Sequence, residues 1–315
     1  MTIHSPRNRT LSLTDAEEKY YFGLCKTASD EVITDSIICG DSFEIIGKIP
    51  EHSISLIISD PPYNLSKVYA GKNFRKMNDS DYKDFTEELI KASKRILKKN
   101  GSIYICCDWR DSSIFSEVLS RHFYIKNRIT WQRDKGRGNA SNWKNCMEDI
   151  WYAVADPKNY TFNLDAVKQR RSVLAPYKTD GQPKDWVETA DGRFRDTCPS
   201  NFWDDISIPY WSMPENTEHP TQKPEKLAAK LILASSNPED LVLDPFLGSG
   251  TTAVAAKKLK RHFIGIESEP RYCALAAKRL EAAESDKTIQ GYSDGVFWER
   301  NTSFLQQKYK KSSDK

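Results

Sequence analysis

The segment Asp240-Leu-Val-Leu-Asp-Pro-Phe-Leu-Gly-Ser-Gly-Thr-Thr252 constrains the fold more than any other stretch of the chain. A short run of β-formers ends at Asp244 and passes through two glycines into a helical pattern whose apolar face includes Val254 and Leu259. A strand that turns at once into a helix has to lay that helix on a sheet face. The same step recurs: ISLIISD ends at Asp60, and HFIGIE ends at Glu267 ahead of a helix carrying Tyr272, Leu275, Ala276 and Leu280. Over 81–99, Tyr82, Phe85, Leu89, Ala92 and Ile96 stand at helical spacing, Asn100-Gly101 closes that helix, and SIYICCD follows as a strand. Alternating strands and helices with right-handed crossovers predict an α/β fold, doubly wound around a mostly parallel sheet. Ligands then gather at the carboxyl ends of the strands, where Asp60, Asp244 and Glu267 stand.

The 315 residues suffice for one large α/β domain or two modest ones, with a core that needs no disulfide or metal. A chain that is 38% apolar is not disordered, despite 29% charged residues. No apolar run approaches the ~18–20 residues of a membrane span, and the N-terminal stretch lacks the apolar segment of a secretory signal. Seven scattered cysteines with no Cys-x-x-Cys pair point to a reduced, cytoplasmic protein and away from a zinc finger, and no His/Cys/carboxylate cluster suggests a metal. The net charge of +3 permits a polyanionic partner without demanding one. By pattern the chain divides into an N-terminal extension (1–32), a first α/β zone (33–131), a Gly-, Pro-, Asn- and Trp-rich stretch whose one clear strand is EDIWYAVA (132–218), a second α/β zone (219–285) and a polar tail (286–315). The middle stretch reads either as an inserted recognition region or as an excursion covering a sheet edge.

Two constellations carry chemistry. In the glycine turn, Gly248 and Gly250 allow a tight backbone turn and a close ligand approach, and the helix that follows offers free N–H groups and a positive dipole end. The turn matches neither the dinucleotide fingerprint nor a P-loop. Alone it would be a strand–helix corner; with Glu267 ending the next strand, able to accept both ribose hydroxyls, it favours a nucleoside-type ligand. The second constellation is Ser59-Asp60-Pro61-Pro62-Tyr63-Asn64. Consecutive prolines force the chain out of the sheet extended and stiff. That gathers the Asp60 carboxylate, nearby carbonyls and the Tyr63 ring in one small space, suited to an exocyclic amino group on a flat base. The plainer reading of these residues is a rigid turn with an exposed Tyr.

DPPYNL, HPTQKPEKLAAKLILAS and DPFLGSGTTAVAAKKLKRHFIGIESEPRY together resemble the amino-group DNA methyltransferases that use S-adenosylmethionine, over roughly 37–280 without most of the middle stretch. Because DPPY precedes the glycine turn, the order resembles the permuted β class. The resemblance implies a circularly permuted, Rossmann-like methyltransferase domain, with catalysis in 33–131, the cofactor in 219–285 and target recognition in 132–218. It assigns Asp60, Pro61, Pro62 and Tyr63 to catalysis. Asp244, Phe246, Gly248, Ser249, Gly250 and Thr251 would surround the methionine part of the cofactor, Glu267 would hold the ribose and Asp41 the adenine moiety. Lys223-Pro224 would close over the methionine end, with His219 and Thr221 as neighbours, and Trp131 would stand beside the target base together with Tyr63.

The implied activity is transfer of a methyl group to the 6-amino group of adenine in a specific double-stranded DNA sequence, with the base flipped out of the duplex. The Asp-led tetrapeptide favours adenine; relatives acting on the 4-amino group of cytosine more usually carry Ser or Thr there. Rival readings are that cytosine reaction, methylation of an amine in RNA or protein, and a DNA-binding relative without turnover. A cognate restriction endonuclease and a homodimer are compatible with the family. The middle stretch is not basic overall, with twelve Lys/Arg against thirteen Asp/Glu over 133–215. Within it Arg133, Lys135, Arg137 and Lys144 concentrate in RDKGRGNASNWK, which reads as a DNA-contacting loop or as an ordinary solvated one.

Overall fold

Along the strand Ile54–Ser59, Leu56 and Ile58 pack into one apolar cluster and Ile57 into another. Strand side chains alternate, so two clusters mean that both sheet faces are covered. Helices Glu225–Ser235, Thr251–Lys258 and Pro270–Ser285 cover one face. Helices Ser42–Lys48, Asp79–Ile96 and Ser112–His122 cover the other. The computed structural model describes residues 6–65, 67–69, 72–74, 76–133, 140–173, 178–180, 182–183, 185–189, 192–300 and 302.

The main sheet has nine strands, in the spatial order Lys26–Thr27, Ser36–Cys39, His262–Glu267, Leu241–Asp244, Ile54–Ser59, Leu97–Cys107, Met147–Val154, Tyr124–Gln132 and Phe202–Trp203. Only Met147–Val154 runs against its neighbours; all other pairs are parallel. From the central pair the chain winds outward in opposite directions, Ile54–Ser59 leading to Leu97–Cys107 and Leu241–Asp244 leading to His262–Glu267. A crevice opens at such a switch point, beyond the carboxyl ends of both strands. This is the doubly wound, mostly parallel sheet that the sequence predicts.

Several boundaries differ from expectation. The helix expected over 81–99 stops at Ile96, and Asn100-Gly101 lies inside the next strand. Leu97 already pairs with Ile54 and Ser102 with Leu56, and the register shift between them absorbs the extra residues. A Cβ on Gly101 would lie 2.6 Å from Leu97 Cγ, so the glycine serves packing rather than helix termination. The stretch 132–218 is not set apart from the sheet, because it supplies Met147–Val154 and Phe202–Trp203. Its strands Val187–Thr189, Gly192–Thr197 and Gln169–Ser172 form a second sheet with Val296–Trp298 and Tyr292–Ser293, so residues expected in a polar tail are ladder partners with a buried Phe297 and Trp298. The N-terminal segment is also docked. Its helix Asp15–Phe22, begun by a Thr14–Glu17 capping box, meets Pro270–Ser285 through Lys278–Glu17 at 2.5 Å and Tyr21–Glu281 at 2.5 Å. Among the described residues no helix is long and apolar enough to cross a membrane.

A buried ion cluster fastens these parts together. Lys230 Nζ donates to both Asp205 oxygens at 2.9 Å, and Lys226 Nζ lies 2.6 Å from Asp205 Oδ2 and donates to the Trp298 carbonyl. Burial brings the Lys226 ammonium down to about 8, although Asp205 pulls the other way. Asp205→Ala would leave two buried ammonium groups without their carboxylate, so we expect a loss of about 3–5 kcal/mol. Thermal unfolding followed by circular dichroism tests this; an unchanged midpoint would show that the cluster does not hold the second sheet in place.

Candidate active site

Asp60 follows Ile54–Ser59 immediately, where the two prolines end the ladder. The exit is pinned from outside. Tyr82 donates its hydroxyl to the Pro62 carbonyl at 3.0 Å, Asn64 accepts the Met77 N–H at 2.7 Å, and Asn64 Nδ2 returns to the Met77 carbonyl at 3.2 Å. Tyr63 folds back, and its hydroxyl donates to Asp60 Oδ1 at 2.9 Å. Burial, reinforced by the Asp60 carboxylate, pushes the Tyr63 phenol well above its ordinary range, so it stays protonated as a donor.

Lys223 links the two constellations. Its ammonium lies not on the cofactor turn but on Asp60, donating to Oδ2 at 2.6 Å and to the Tyr63 hydroxyl at 3.2 Å, with Glu148 Oε2 3.3 Å away. Burial works against the charge, yet Asp60 and Glu148 overcome it and raise the Lys223 pKa, so it remains an ammonium. Only the Lys223 backbone reaches the glycine turn, its carbonyl accepting from Thr251 Oγ1 at 2.9 Å. Pro224 is the N-cap of Glu225–Ser235 and fixes where that helix starts.

In the glycine turn the two glycines do different work. Gly248, at φ +55°, donates its N–H to Glu267 Oε2 at 2.8 Å, and a Cβ there would meet His219 Nε2 at 3.0 Å. Gly250, at φ +88°, was expected to make room for a ligand; instead its missing Cβ faces Ala276 Cβ at 2.6 Å, so it admits the helix Pro270–Ser285. Asp244 accepts from Thr252 Oγ1 at 2.6 Å and from the Phe246 N–H at 3.0 Å, and burial raises its carboxyl to about 7. Burial also raises Glu267, partly offset by N–H donors from Glu269 and Gly248. Asp41 caps Ser42–Lys48, its Oδ1 accepting from the Phe43 and Glu44 N–H groups at 2.9 and 3.0 Å.

One cavity of about 950 Å³ takes in Asp41, Asp60–Tyr63, Lys223, Asp244, Phe246, Gly248, Ser249, Thr251 and Glu267. Trp131 reaches this cavity but is only 1% exposed, and its indole N–H donates to the Ile206 carbonyl at 2.9 Å. It is a wall of the core rather than an open stacking face. Arg133 lines the cavity too, donating to Glu148 Oε1 while its side chain stays 34% exposed. Lys144 is exposed, and Lys135 and Arg137 lie outside the described residues.

Two groups escaped the sequence reading. Glu148 is buried on the cavity wall, and its strand would have disclosed it: period two puts Glu148 on the same face as the apolar Ile150 and Tyr152. The other is a network under the glycine turn. Arg279 donates to the Ser249 carbonyl at 2.8 Å, to Thr251 Oγ1 at 3.1 Å and to Glu225 Oε1 at 2.9 Å. Glu225 also receives Lys258 at 2.7 Å and donates its backbone N–H to Glu215 Oε2 at 2.6 Å. Nothing local in the sequence signals such a long-range set.

The sequence profile of the DNA methylase family, the N6/N4 methyltransferases, matches residues 54–278. The chain is 38% identical over 255 residues to the DNA adenine methyltransferase YhdJ of Escherichia coli K12, covering 79% of this chain and 83% of YhdJ. It is 35% identical to the type II methyltransferase M.HpaI of Haemophilus parainfluenzae, covering 78% and 74% respectively. The crystal structure of the M1.HpyAVI–SAM complex superposes with a TM-score of 0.53 at 28% identity, over 78% of this chain and 98% of that one. The PvuII DNA methyltransferase, described as cytosine-N4-specific, gives a TM-score of 0.54 at 21% identity over 82% of this chain and 88% of its own, a likeness of fold alone.

Gly250→Val provides a check on the turn. The left-handed conformation costs a branched residue about 1–2 kcal/mol, and overpacking against Ala276 about 1–3 kcal/mol more. The melting temperature should fall accordingly; a variant as stable as the wild type would remove the packing role given to this glycine.

Proposed function

The chain belongs to the DNA methylase family of N6/N4 methyltransferases, and from that premise we propose that it transfers a methyl group from S-adenosylmethionine to the 6-amino group of adenine at a specific sequence in double-stranded DNA. The observation that carries this reading is the single cavity shared by the Asp60–Tyr63 exit, the glycine turn and Glu267.

The residues present fit that cofactor. Gly248 keeps clear a space that a Cβ would close against His219. Asp244 and Glu267 give the same wall two carboxylates, suited to an ammonium and to ribose hydroxyls, while Phe246 and Ile266 offer apolar surface. Asp41 lines the same cavity, one residue past Gly40, whose N–H donates to the Glu267 carbonyl, and it would serve the adenine moiety. When bound, S-adenosylmethionine supplies an electrophilic methyl group.

The chain's own part is to prepare the amine. An exocyclic amine conjugated to a base ring is a poor nucleophile because its lone pair is delocalised. Asp60 and a carbonyl of the Asp60-Pro61 exit accept its two N–H bonds, which favours tetrahedral nitrogen and localises the lone pair. Asp60, fixed in position before substrate arrives, also stabilises the positive charge that develops on nitrogen, and the methylated nitrogen then gives up its extra proton to the Asp60 carboxylate or to water. Tyr63 supplies the aromatic face against which the flipped base rests. The Asp at the head of the tetrapeptide and the likeness to YhdJ support adenine over cytosine. Selective modification of one sequence would also suit a partner restriction endonuclease, and we extend the reading to that role.

Asp60→Ala should lower methyl transfer about 10²–10³-fold or more while leaving cofactor affinity nearly intact. Labelled cofactor with mixed DNA, digested for mass spectrometry, should give N6-methyladenine with the wild type; N4-methylcytosine alone would overturn the choice of base, and near-normal turnover by Asp60→Ala would overturn the role of Asp60.

A second prediction concerns pH. Burial holds the Asp244 carboxyl at about 7, and a cationic ligand end favours its ionised form. Below that value the group must lose a proton before it can serve the cofactor, so affinity should weaken by about tenfold per pH unit as pH falls. Calorimetry across pH 5–8 should show this slope in the wild type and lose it in Asp244→Asn; equal slopes would place the methionine ammonium away from Asp244.

A further inference from the structure

We infer that Glu148 is a positioning residue for the methyl transfer: it holds the Lys223 ammonium aside when the target amine takes its place on Asp60. The inference rests on the reading that Asp60 receives that amine. Both Asp60 oxygens are engaged within the chain, Oδ1 by the Tyr63 hydroxyl at 2.9 Å and Oδ2 by Lys223 at 2.6 Å. Each carboxylate oxygen can accept a second hydrogen bond, but the Lys223 ammonium holds a positive charge beside the place where the amine nitrogen itself becomes positive, so transfer is favoured when Lys223 moves aside.

A buried ammonium cannot be released without a new counter-charge, because an unpaired charge in such a place is strongly unfavourable. Glu148 meets that need. Its side chain is 4% exposed, its Oε2 lies 3.3 Å from Lys223 Nζ, and that oxygen is shielded from water with no hydrogen-bond partner. The other oxygen is held by Arg133, which fixes the orientation of the carboxylate. Lys223 thus stands between two carboxylates, close on one and at a stretched distance from the other. A small movement of Nζ toward Glu148 completes that second contact and vacates Asp60 Oδ2. It also draws a positive charge away from the nitrogen that becomes positive during transfer.

Glu148→Gln separates this role from mere packing, because the amide keeps the shape and the oxygen that Arg133 grips and removes only the charge facing Lys223. Steady-state kinetics should show kcat reduced by about 10²-fold, as expected for a misplaced reacting group, with S-adenosylmethionine affinity near the wild-type value in the folded variant. In a Lys223→Met background, where no cation needs holding aside, adding Glu148→Gln should cost little further. Lys223→Arg keeps the charge but spans both carboxylates at once, and should also lower kcat; it serves as the test if Glu148→Gln does not fold. Wild-type turnover in either Glu148→Gln or Lys223→Arg would overturn the inference, as would an undiminished Glu148→Gln defect in the Lys223→Met background. Those results leave the reading of Asp60 standing, whereas an active Asp60→Ala would sink that reading itself.

Discussion

The register that sets Val242 opposite Leu56 and Leu243 opposite Ile57 positions nearly everything else in the molecule. These parallel neighbours come from opposite ends of the chain, and their carboxyl ends bring Asp244 and Asp60 to the same rim of the sheet. Because side chains alternate along a strand, a slip of Ile54–Ser59 by one residue would turn Leu56 away from the helices of one face and Ile57 away from those of the other. Both faces are buried, so the register is strongly specified, and with it the separation between the group that prepares the amine and the turn that holds the cofactor.

Charge as well as apolar contact ties the outlying segments to this centre. The helix Glu225–Ser235 is buried along its whole length, yet it carries Glu225, Lys226 and Lys230. Each is matched: Lys226 and Lys230 by Asp205, Glu225 by Arg279 and Lys258. Asp205 belongs to the middle stretch and Arg279 to the last long helix. One helix therefore registers the second sheet, the glycine turn and the Lys223 segment against one another. Buried pairs of this kind add little net stability compared with apolar packing, but separating one is costly, and that penalises every alternative arrangement of the parts.

Much of this was legible in the sequence, and the boundary of legibility is physical. The strand-to-helix steps, the proline exit after Asp60 and the acid that ends HFIGIE are local patterns, and local patterns report where a strand ends and which face a side chain takes. They do not report partners far along the chain. Lys223 stands in a segment that resembles a cofactor lid, and only the folded chain shows its ammonium on Asp60. Gly250 announces a tight turn, but that its missing side chain admits Ala276 is a fact about another helix. The strands Tyr292–Ser293 and Val296–Trp298 are too short for periodicity to distinguish from a polar tail. Glu148 was missed for a different reason: its alternation with Ile150 and Tyr152 is a local signal of burial that the sequence reading left unused.

The order of the central strands also bears on how the protein is made. Ile54–Ser59, buried at every position, leaves the ribosome long before Leu241–Asp244, its neighbour on one side. At about 5–20 residues per second the gap lasts roughly 10–40 s. Throughout it, the sheet built from the first half of the chain presents an apolar, unpaired edge at what will become its centre, the condition under which nascent chains pair with the wrong strand or with one another. A methyltransferase with its two halves in this order carries a synthesis-time exposure that the unpermuted order would arrange differently, and that edge stays open until the last quarter of the chain arrives.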